Sequence, residues 1–260
     1  MRGETAVLES NFMPERTSIC RKNFRLSDAI LTGLIYLCAG IAMLLLIGIM
    51  GYVFVRGIPH ITWQFLSTVS STRAGTFGIL GNIVNTLYIV VLTLLIATPI
   101  GVGSAIYLNE YAKPGKLVKV IEFTTETLSG IPSIIFGLFG MVFFGNTLGL
   151  GYSILTGALT LTLMILPVIT RTTQEALKTV PDSYRTGALG IGATKWYMIR
   201  TILLPSAMPG ILTGIILAIG RIVGESAALL FTAGSGYYLP RNLFSKVLES
   251  GGTLTIQLYL

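Results

Sequence analysis

The sequence predicts an all-α polytopic membrane protein, and three observations carry that prediction. Of 260 residues, 52% are hydrophobic and only 11% charged, against about 25% charged in a soluble domain. Apolar stretches approaching 20 residues recur along the chain, the length that crosses a hydrocarbon core about 30 Å thick at 1.5 Å per residue. Basic residues gather in alternate connecting segments, the asymmetry that sorts membrane loops to the inside.

Residues 1–25 mix Glu, Arg, Ser and Pro without apolar periodicity and read as a flexible cytoplasmic tail. The first span is an anchor over residues 26–56. Its clearest part, Ala29 to Val55, is interrupted only by Thr32, Tyr36, Cys38 and Tyr52, is too long for a signal-peptide core and ends without a small-residue cleavage pattern. An external loop at 57–81 follows, with a short helix expected near Ile61 to Leu66. The second span, Asn82 to Leu108, contains Pro99, Gly101 and Gly103, which are expected to bend or loosen its last turns. Lys116 to Leu128 sets Leu117, Val120, Ile121 and Thr124 on one helical face, the pattern of an amphipathic helix lying at the membrane surface. The third span, Ile131 to Gly145, is short and must borrow a turn from its flanks. The fourth covers Tyr152 to Thr170 and the fifth Met208 to Ala233, so residues 82–260 form the core domain, with a cytoplasmic loop at 171–205.

Lys and Arg number 18 against 11 Asp and Glu, a net charge of +7. Thirteen of the 18 lie in three segments: Arg2, Arg16, Arg21, Lys22 and Arg25; Lys113, Lys116 and Lys119; Arg171, Lys178, Arg185, Lys195 and Arg200. The opposite segments hold four, Arg56, Arg73, Arg241 and Lys246. The N-terminus and the 171–205 loop are therefore expected in the cytoplasm, and the basic excess needs no nucleic acid. The one histidine, His60, with two cysteines, Cys20 and Cys38, builds neither a histidine triad nor a zinc site nor a disulfide framework. Pro114-Gly115-Lys116-Leu117 lacks the spacing and the hydroxyl of a phosphate-wrapping P-loop, so ATP, if used, is bound elsewhere.

Two charges fall deep in the fifth span, Arg221 and Glu225. A lipid-facing place for either costs about 2.5 to 3.5 kcal/mol on insertion scales. Two readings stand. Either the guanidinium, cleared by Gly220 and Gly224, offers its planar fork to a tetrahedral oxyanion along a translocation path that Glu225 also lines, or Arg221 and Glu225 form a structural ion pair holding this subunit to its partner, although Arg before Glu is the weaker order at i, i+4. Arg171 is either a second positive site lower on the same path or a snorkelling residue. Asn82 and Asn85 are expected to bond a neighbouring helix, Trp196, Tyr237 and Tyr238 to sit at the interface, and His60 to be solvated.

The 171–205 segment contains YRTGALGIGATKWYMIRTILLP, Tyr184 to Pro205. In GALGIG, small residues permit close backbone approach and glycines let two short helices meet at a sharp angle. Pro181 suits a first helical turn and Pro205 the start of the next span. The stretch resembles the loop of bacterial ABC importer permeases, E-A-A, three residues, G, nine residues, I-x-L-P. Ala188, Gly192, Ile202, Leu204 and Pro205 are in register, while Thr186 and Gly187 stand where the pattern has Glu and Ala. GNIVNTLYIVVLTLLIATPIGVGSAIYLNEYA, LSGIPSIIFGLFG, ITRTTQEALKTVPDSYR and GILTGIILAIGRIVGESAALLFTA are similar to the phosphate-importer permeases, the PstA family, across roughly residues 75–235.

That resemblance implies a type I ABC importer permease fold in the bacterial plasma (inner) membrane, moving inorganic phosphate inward by alternating access. It implies a second, PstC-like permease subunit, a PstB-like ATPase homodimer that holds the ATP and Mg, and an external PstS-like phosphate-binding protein. The chain itself is then expected to bind no cofactor or metal. By the same resemblance Arg221 and Arg171 occupy positions where the family has arginines, and the 184–205 elbow, with Thr186, Gly187, Ala188, Gly192, Ile202, Leu204 and Pro205, is the ATPase-coupling element. A sixth span is expected after the external loop, where the sequence reads QLYL at 257–260. Other oxyanions, sulfate, molybdate or tungstate, remain open within this architecture. An ATP-independent channel or secondary transporter is the reading from a different class.

Overall fold

A computed structural model describes residues 26–71, 75–239 and 245–260. The predicted tail at 1–25, with Cys20 and its five basic residues, and the external Arg73 and Arg241 lie outside the described residues. The chain divides into two compact units, residues 1–61 and 62–260.

In the first unit, α1 (Leu26–Gly57) runs 32 residues, about 48 Å at 1.5 Å per residue. From Ser27 to Arg56 every side chain is exposed, and Leu, Ile, Val and Met surround the axis, as expected of a helix whose solvent is lipid. A 3₁₀ turn, Ile58–His60, closes it at Pro59.

The second unit opens with α2 (Trp63–Ser67), where the Thr62 hydroxyl accepts the Phe65 N–H at 3.2 Å. A two-stranded antiparallel hairpin, β1 (Val69–Ser71) and β2 (Thr76–Ile79), then pairs Val69 with Ile79 and Ser71 with Thr76, a small departure from the all-helical expectation. The spans follow. α3 (Leu80–Ile106) contains Pro99 and passes into a π-helical turn, Tyr107–Tyr111. α4 (Lys116–Ser129) is the predicted amphipathic helix. α5 (Ser133–Gly140) begins after Pro132 and is lengthened by a second π turn, Met141–Thr147, which supplies the turn the short span lacked. α4 and the α5 arm meet at 103°.

α6 (Ile154–Lys178) starts on Ser153, whose hydroxyl accepts the Thr156 N–H at 3.1 Å. It does not stop at Thr170, as the apolar run suggested, but continues two turns to Lys178. Next come α7 (Asp182–Gly190), α8 (Lys195–Met198), a third π turn (Ile199–Leu203), α9 (Leu204–Gly224), α10 (Ala227–Thr232), a 3₁₀ turn at Ser245–Leu248 and α11 (Leu254–Gln257). Among the described residues four helical stretches are long and apolar enough to cross a membrane, Ser27–His60, Leu80–Tyr111, Ile154–Lys178 and Lys195–Gly224; the bent α4–α5 pair brings the number to five when counted as one span.

α6 is the central post. Leu161, Met164, Ile165 and Ile169 on it pack with Ile89 and Ala97 of α3 and Ala218 and Ile222 of α9. A second cluster joins Ala176, Leu177 and Val180 to Ala188, Met198, Ile199, Leu203, Ala207 and Ile211. Close approach depends on small residues: a Cβ on Gly214 would run into the Thr172 hydroxyl, and one on Gly140 into that of Thr160. Three of the buried threonines are satisfied within their own helices, whereas the Thr93 and Thr173 hydroxyls have no hydrogen-bond partner among the described residues. Thr160 donates to Thr156 O, Thr162 to Ala158 O and Thr232 to Ala228 O, each at 2.8 Å.

Residues 233–239 and 245–257 fold back into the bundle. Asn82 Nδ2 donates to Gly252 O at 3.1 Å and Asn85 Nδ2 to Gly236 O at 3.0 Å, so both asparagines serve this returning segment rather than a neighbouring transmembrane helix. Lys246, 1% exposed, donates to Tyr238 O at 2.8 Å and lies 3.5 Å from Glu249.

Candidate translocation and coupling site

The elbow is built from local chemistry. α7 ends in a Schellman motif: Gly192, at φ +85°, donates its N–H to Leu189 O, and Ala193 donates to Ala188 O, both at 3.0 Å. The Thr194 hydroxyl then caps α8 by accepting the Tyr197 N–H at 3.3 Å. Two helices thus meet across four residues at the glycine the sequence marked. Ala188 is the one buried residue of α7 and packs in the cluster of Met198, Ile199 and Leu203. Thr186 is exposed, its hydroxyl donating back to Asp182 O at 3.2 Å, and a Cβ on Gly187 meets nothing within 4 Å. Ile202 and Leu204 do not belong to a loop: they lie against the same cluster, in a helix that has run since Lys195. Pro205 therefore does not begin the span, and the π turn at 199–203 ends two positions before this residue without an N–H. Leu189, Ile191, Trp196 and Tyr197 remain exposed around the elbow.

Nothing in the sequence pattern paired Arg185 with Glu110, 75 positions away. In the fold, Arg185 Nη2 lies 3.0 Å and Nε 3.2 Å from Glu110 Oε1, and Asn109 Nδ2 donates to the same oxygen at 2.7 Å. Nη1 donates to Val180 O and Asp182 Oδ1, each at 3.0 Å, and Nη2 also to Leu177 O at 2.9 Å. The signal available was Glu110 itself, the one acidic residue from Thr76 to Ile121, set at a span end among lysines.

The fifth span is broken. α9 ends at Gly224, Glu225 is extended at φ −82°, ψ 127°, and α10 restarts at Ala227. The i, i+4 pairing of Arg221 and Glu225, the alternative reading of the sequence, does not form. Glu225 Oε1 instead accepts the Ala228 N–H at 3.1 Å, and Glu225 O accepts from the Thr255 hydroxyl at 2.8 Å. Each charge suits its helix end, Arg221 in the last turn of α9 and Glu225 before the first turn of α10. Arg221 is half-buried and enters none of the ion pairs among the described residues. Gly214 abuts Thr172, so Arg221, seven residues on, stands about 10 Å further along α6, near its middle.

Arg171 is elsewhere. Its Nε lies 3.7 Å from Glu175 Oε1, and both side chains are exposed. The cavity of about 310 Å³ they line, between α4 and α6, also carries Glu122, Glu126 and Lys178. Carboxylates outnumber cations there, and Arg171 and Arg221 share no site. No cluster of metal-ligating side chains occurs among the described residues.

Residues 97–259 match the family model of the binding-protein-dependent transport system inner membrane component, which takes in the end of α3, the bent pair, α6, the elbow and the broken span. The chain belongs to this family. This permease is 42% identical over 212 residues to the probable ABC transporter permease protein YqgI of Bacillus subtilis, covering 82% of the present chain and 72% of the relative. It is 35% identical over 192 residues to the phosphate transport system permease protein PstA of Xylella fastidiosa, covering 74% and 67%. A chain of the MetNI methionine ABC transporter in an inward-facing conformation superposes with a TM-score of 0.48 at 25% identity, over 58% of the permease and 70% of that chain. As a member, the permease is a multi-pass component of an ABC importer, with a transport role rather than a catalytic one, and works with a paired permease and an ATPase.

Proposed function

We propose that the permease passes inorganic phosphate into the cytoplasm, with Arg221 on the path and the 184–205 elbow receiving the push of a cytoplasmic ATPase. The observation that carries the phosphate reading is the state of Arg221. A guanidinium near the middle of the bundle has no carboxylate partner among the described residues, and Gly220 and Gly224 leave open space beside it. Such a charge requires a polar path or an anion to face, and its fork of donors matches a tetrahedral oxyanion. The relative named as a phosphate transport permease supports the same substrate. Arg171, already paired and facing carboxylates, contributes inside-positive charge in this reading, and Glu225 shapes the break in the path.

Around the elbow, exposed Leu189, Ile191, Trp196 and Tyr197 form an apolar patch beside the small-faced turn of Thr186, Gly187 and Ala188, a surface suited to seat in a groove of another protein. The partners in this reading are a PstC-like second permease, a PstB-like ATPase homodimer holding ATP and Mg, and a PstS-like external binding protein. The distribution of basic residues supports a cytoplasmic N-terminus in this reading.

The test is ATP-dependent uptake of labelled phosphate by the assembled complex in vesicles, comparing wild type with Arg221→Gln and challenging with arsenate, sulfate and molybdate. Uptake competed by arsenate alone and lost on substitution is the expected result. Competition by sulfate or molybdate reassigns the substrate, and uptake indifferent to the substitution returns Arg221 to a structural role.

A further inference from the structure

We propose that the Glu110–Arg185 pair is a transmission strut, joining the elbow to the inner ends of α3 and α6 so that displacement of α7 moves the spans. The inference rests on the coupling role proposed for the elbow and adds the residues through which its motion leaves it.

The geometry is that of a joint. Every nitrogen of the Arg185 guanidinium is used: Nε and Nη2 on Glu110, Nη2 also on Leu177 O, Nη1 on Val180 O and Asp182. One side chain of α7 therefore holds the last carbonyls of α6 and the π turn that ends α3. Glu110 is 5% exposed and Arg185 18%, whereas the other carboxylate, Asp182, is 92% exposed. The Glu110 contact is thus shielded from water and salt, and the Asp182 contact is screened. Lys195 Nζ, over the Tyr111 ring at 4.9 Å, ties α8 to the same π turn.

The opposite flank of the elbow is fastened differently. Ala188 packs on the start of the α8–α9 helix, a contact of small apolar surfaces that tolerates sliding. A charge pair in which two guanidinium nitrogens converge on one shielded carboxylate oxygen does not slide, because separating it leaves a carboxylate of 5% exposure without its partner. Force applied to α7 consequently reaches α3 and α6 through Arg185. Stability alone would be served as well by an apolar contact at this place; a directional pair between an elbow and two span ends serves transmission.

The experiment measures phosphate imported per ATP hydrolysed, and both rates separately, in vesicles holding the complete importer. The variants are Glu110→Gln, Arg185→Lys and the two together, with Glu110→Asp as the conservative control. The strut predicts that Glu110→Gln and Arg185→Lys each lower phosphate per ATP by about tenfold, with ATP hydrolysis within about twofold of wild type and partner subunits still co-purifying. The double variant should be little worse than either single one, as for residues acting through one contact, and Glu110→Asp should restore part of the ratio. A merely structural pair predicts less complex and both rates falling in proportion. A ratio unchanged in Glu110→Gln and Arg185→Lys overturns the strut while leaving the transport reading intact. A wild-type importer without ATP-dependent phosphate uptake overturns that reading, and the strut with it.

Discussion

Arg221 and Glu225 stand four residues apart on either side of a helix break, and the break turns them to different tasks. Glu225 binds the Ala228 N–H at 3.1 Å at the head of α10, while Arg221, in the last turn of α9, makes no ion pair among the described residues. Their neutral variants should therefore behave differently. Arg221→Gln should lower phosphate uptake by about tenfold or more, the loss of one charge-assisted contact. Glu225→Gln retains the acceptor oxygen and should stay within about threefold of wild type. Equal losses in a vesicle uptake assay would show that the two act as one pair.

The elbow offers a contrast between two glycines. Gly192 sits at φ +85°, where a side chain costs about 1 to 2 kcal/mol, so Gly192→Ala should lower the melting temperature of the purified complex and reduce coupled uptake. Gly187 lies inside α7 with open space at its Cβ position. Gly187→Ala should stabilise by about 0.5 to 1 kcal/mol through helix propensity. Thermal unfolding of the two variants should shift in opposite directions.

Packing between α6 and α9 is set by Gly214 against Thr172. Gly214→Leu drives a branched side chain into the Thr172 side chain and should cost about 1 to 3 kcal/mol, read as a fall in the melting temperature of the detergent-purified complex. Adding Thr172→Ala should recover part of the loss; no recovery would place the strain elsewhere.

The returning segment hangs on two asparagines. Asn82→Ala and Asn85→Ala each delete side-chain bonds, to Gly252 O and Gly236 O respectively, at about 0.5 to 1.5 kcal/mol apiece, since Gly252 O keeps the Asn85 amide and Gly236 O the Gly252 N–H. Limited proteolysis between residues 234 and 253 should accelerate in both variants, and unchanged cleavage would mean the segment is held by other contacts.

What the sequence made legible was local. Apolar run lengths located the spans because a span is a contiguous property, and the turn at Gly192 followed from glycine's access to positive φ. The end of α6 was missed because polarity rises after Thr170 while Arg171, Lys178 and the residues between them still suit a helix, which runs on outside the apolar stretch. The break at Glu225 was missed for a different reason. GRIVGESAALL reads as continuous helix, and the carbonyl freed there is satisfied by Thr255, 30 residues on. Arg185 and Glu110 were each visible as charges, yet no periodicity relates residues on separate spans. Asn82 and Asn85 were correctly read as bonding groups, but their partners are backbone carbonyls of a fold-back that composition does not mark.

The threonines of α6 and α10 bear on how such a subunit is made. Because Thr160, Thr162 and Thr232 each spend their hydroxyl proton on a carbonyl one turn back, these helices leave the translocon with those groups already satisfied. A newly inserted copy can hold these three hydroxyls in lipid without a polar neighbour, so the insertion of these helices does not wait on a partner to satisfy them.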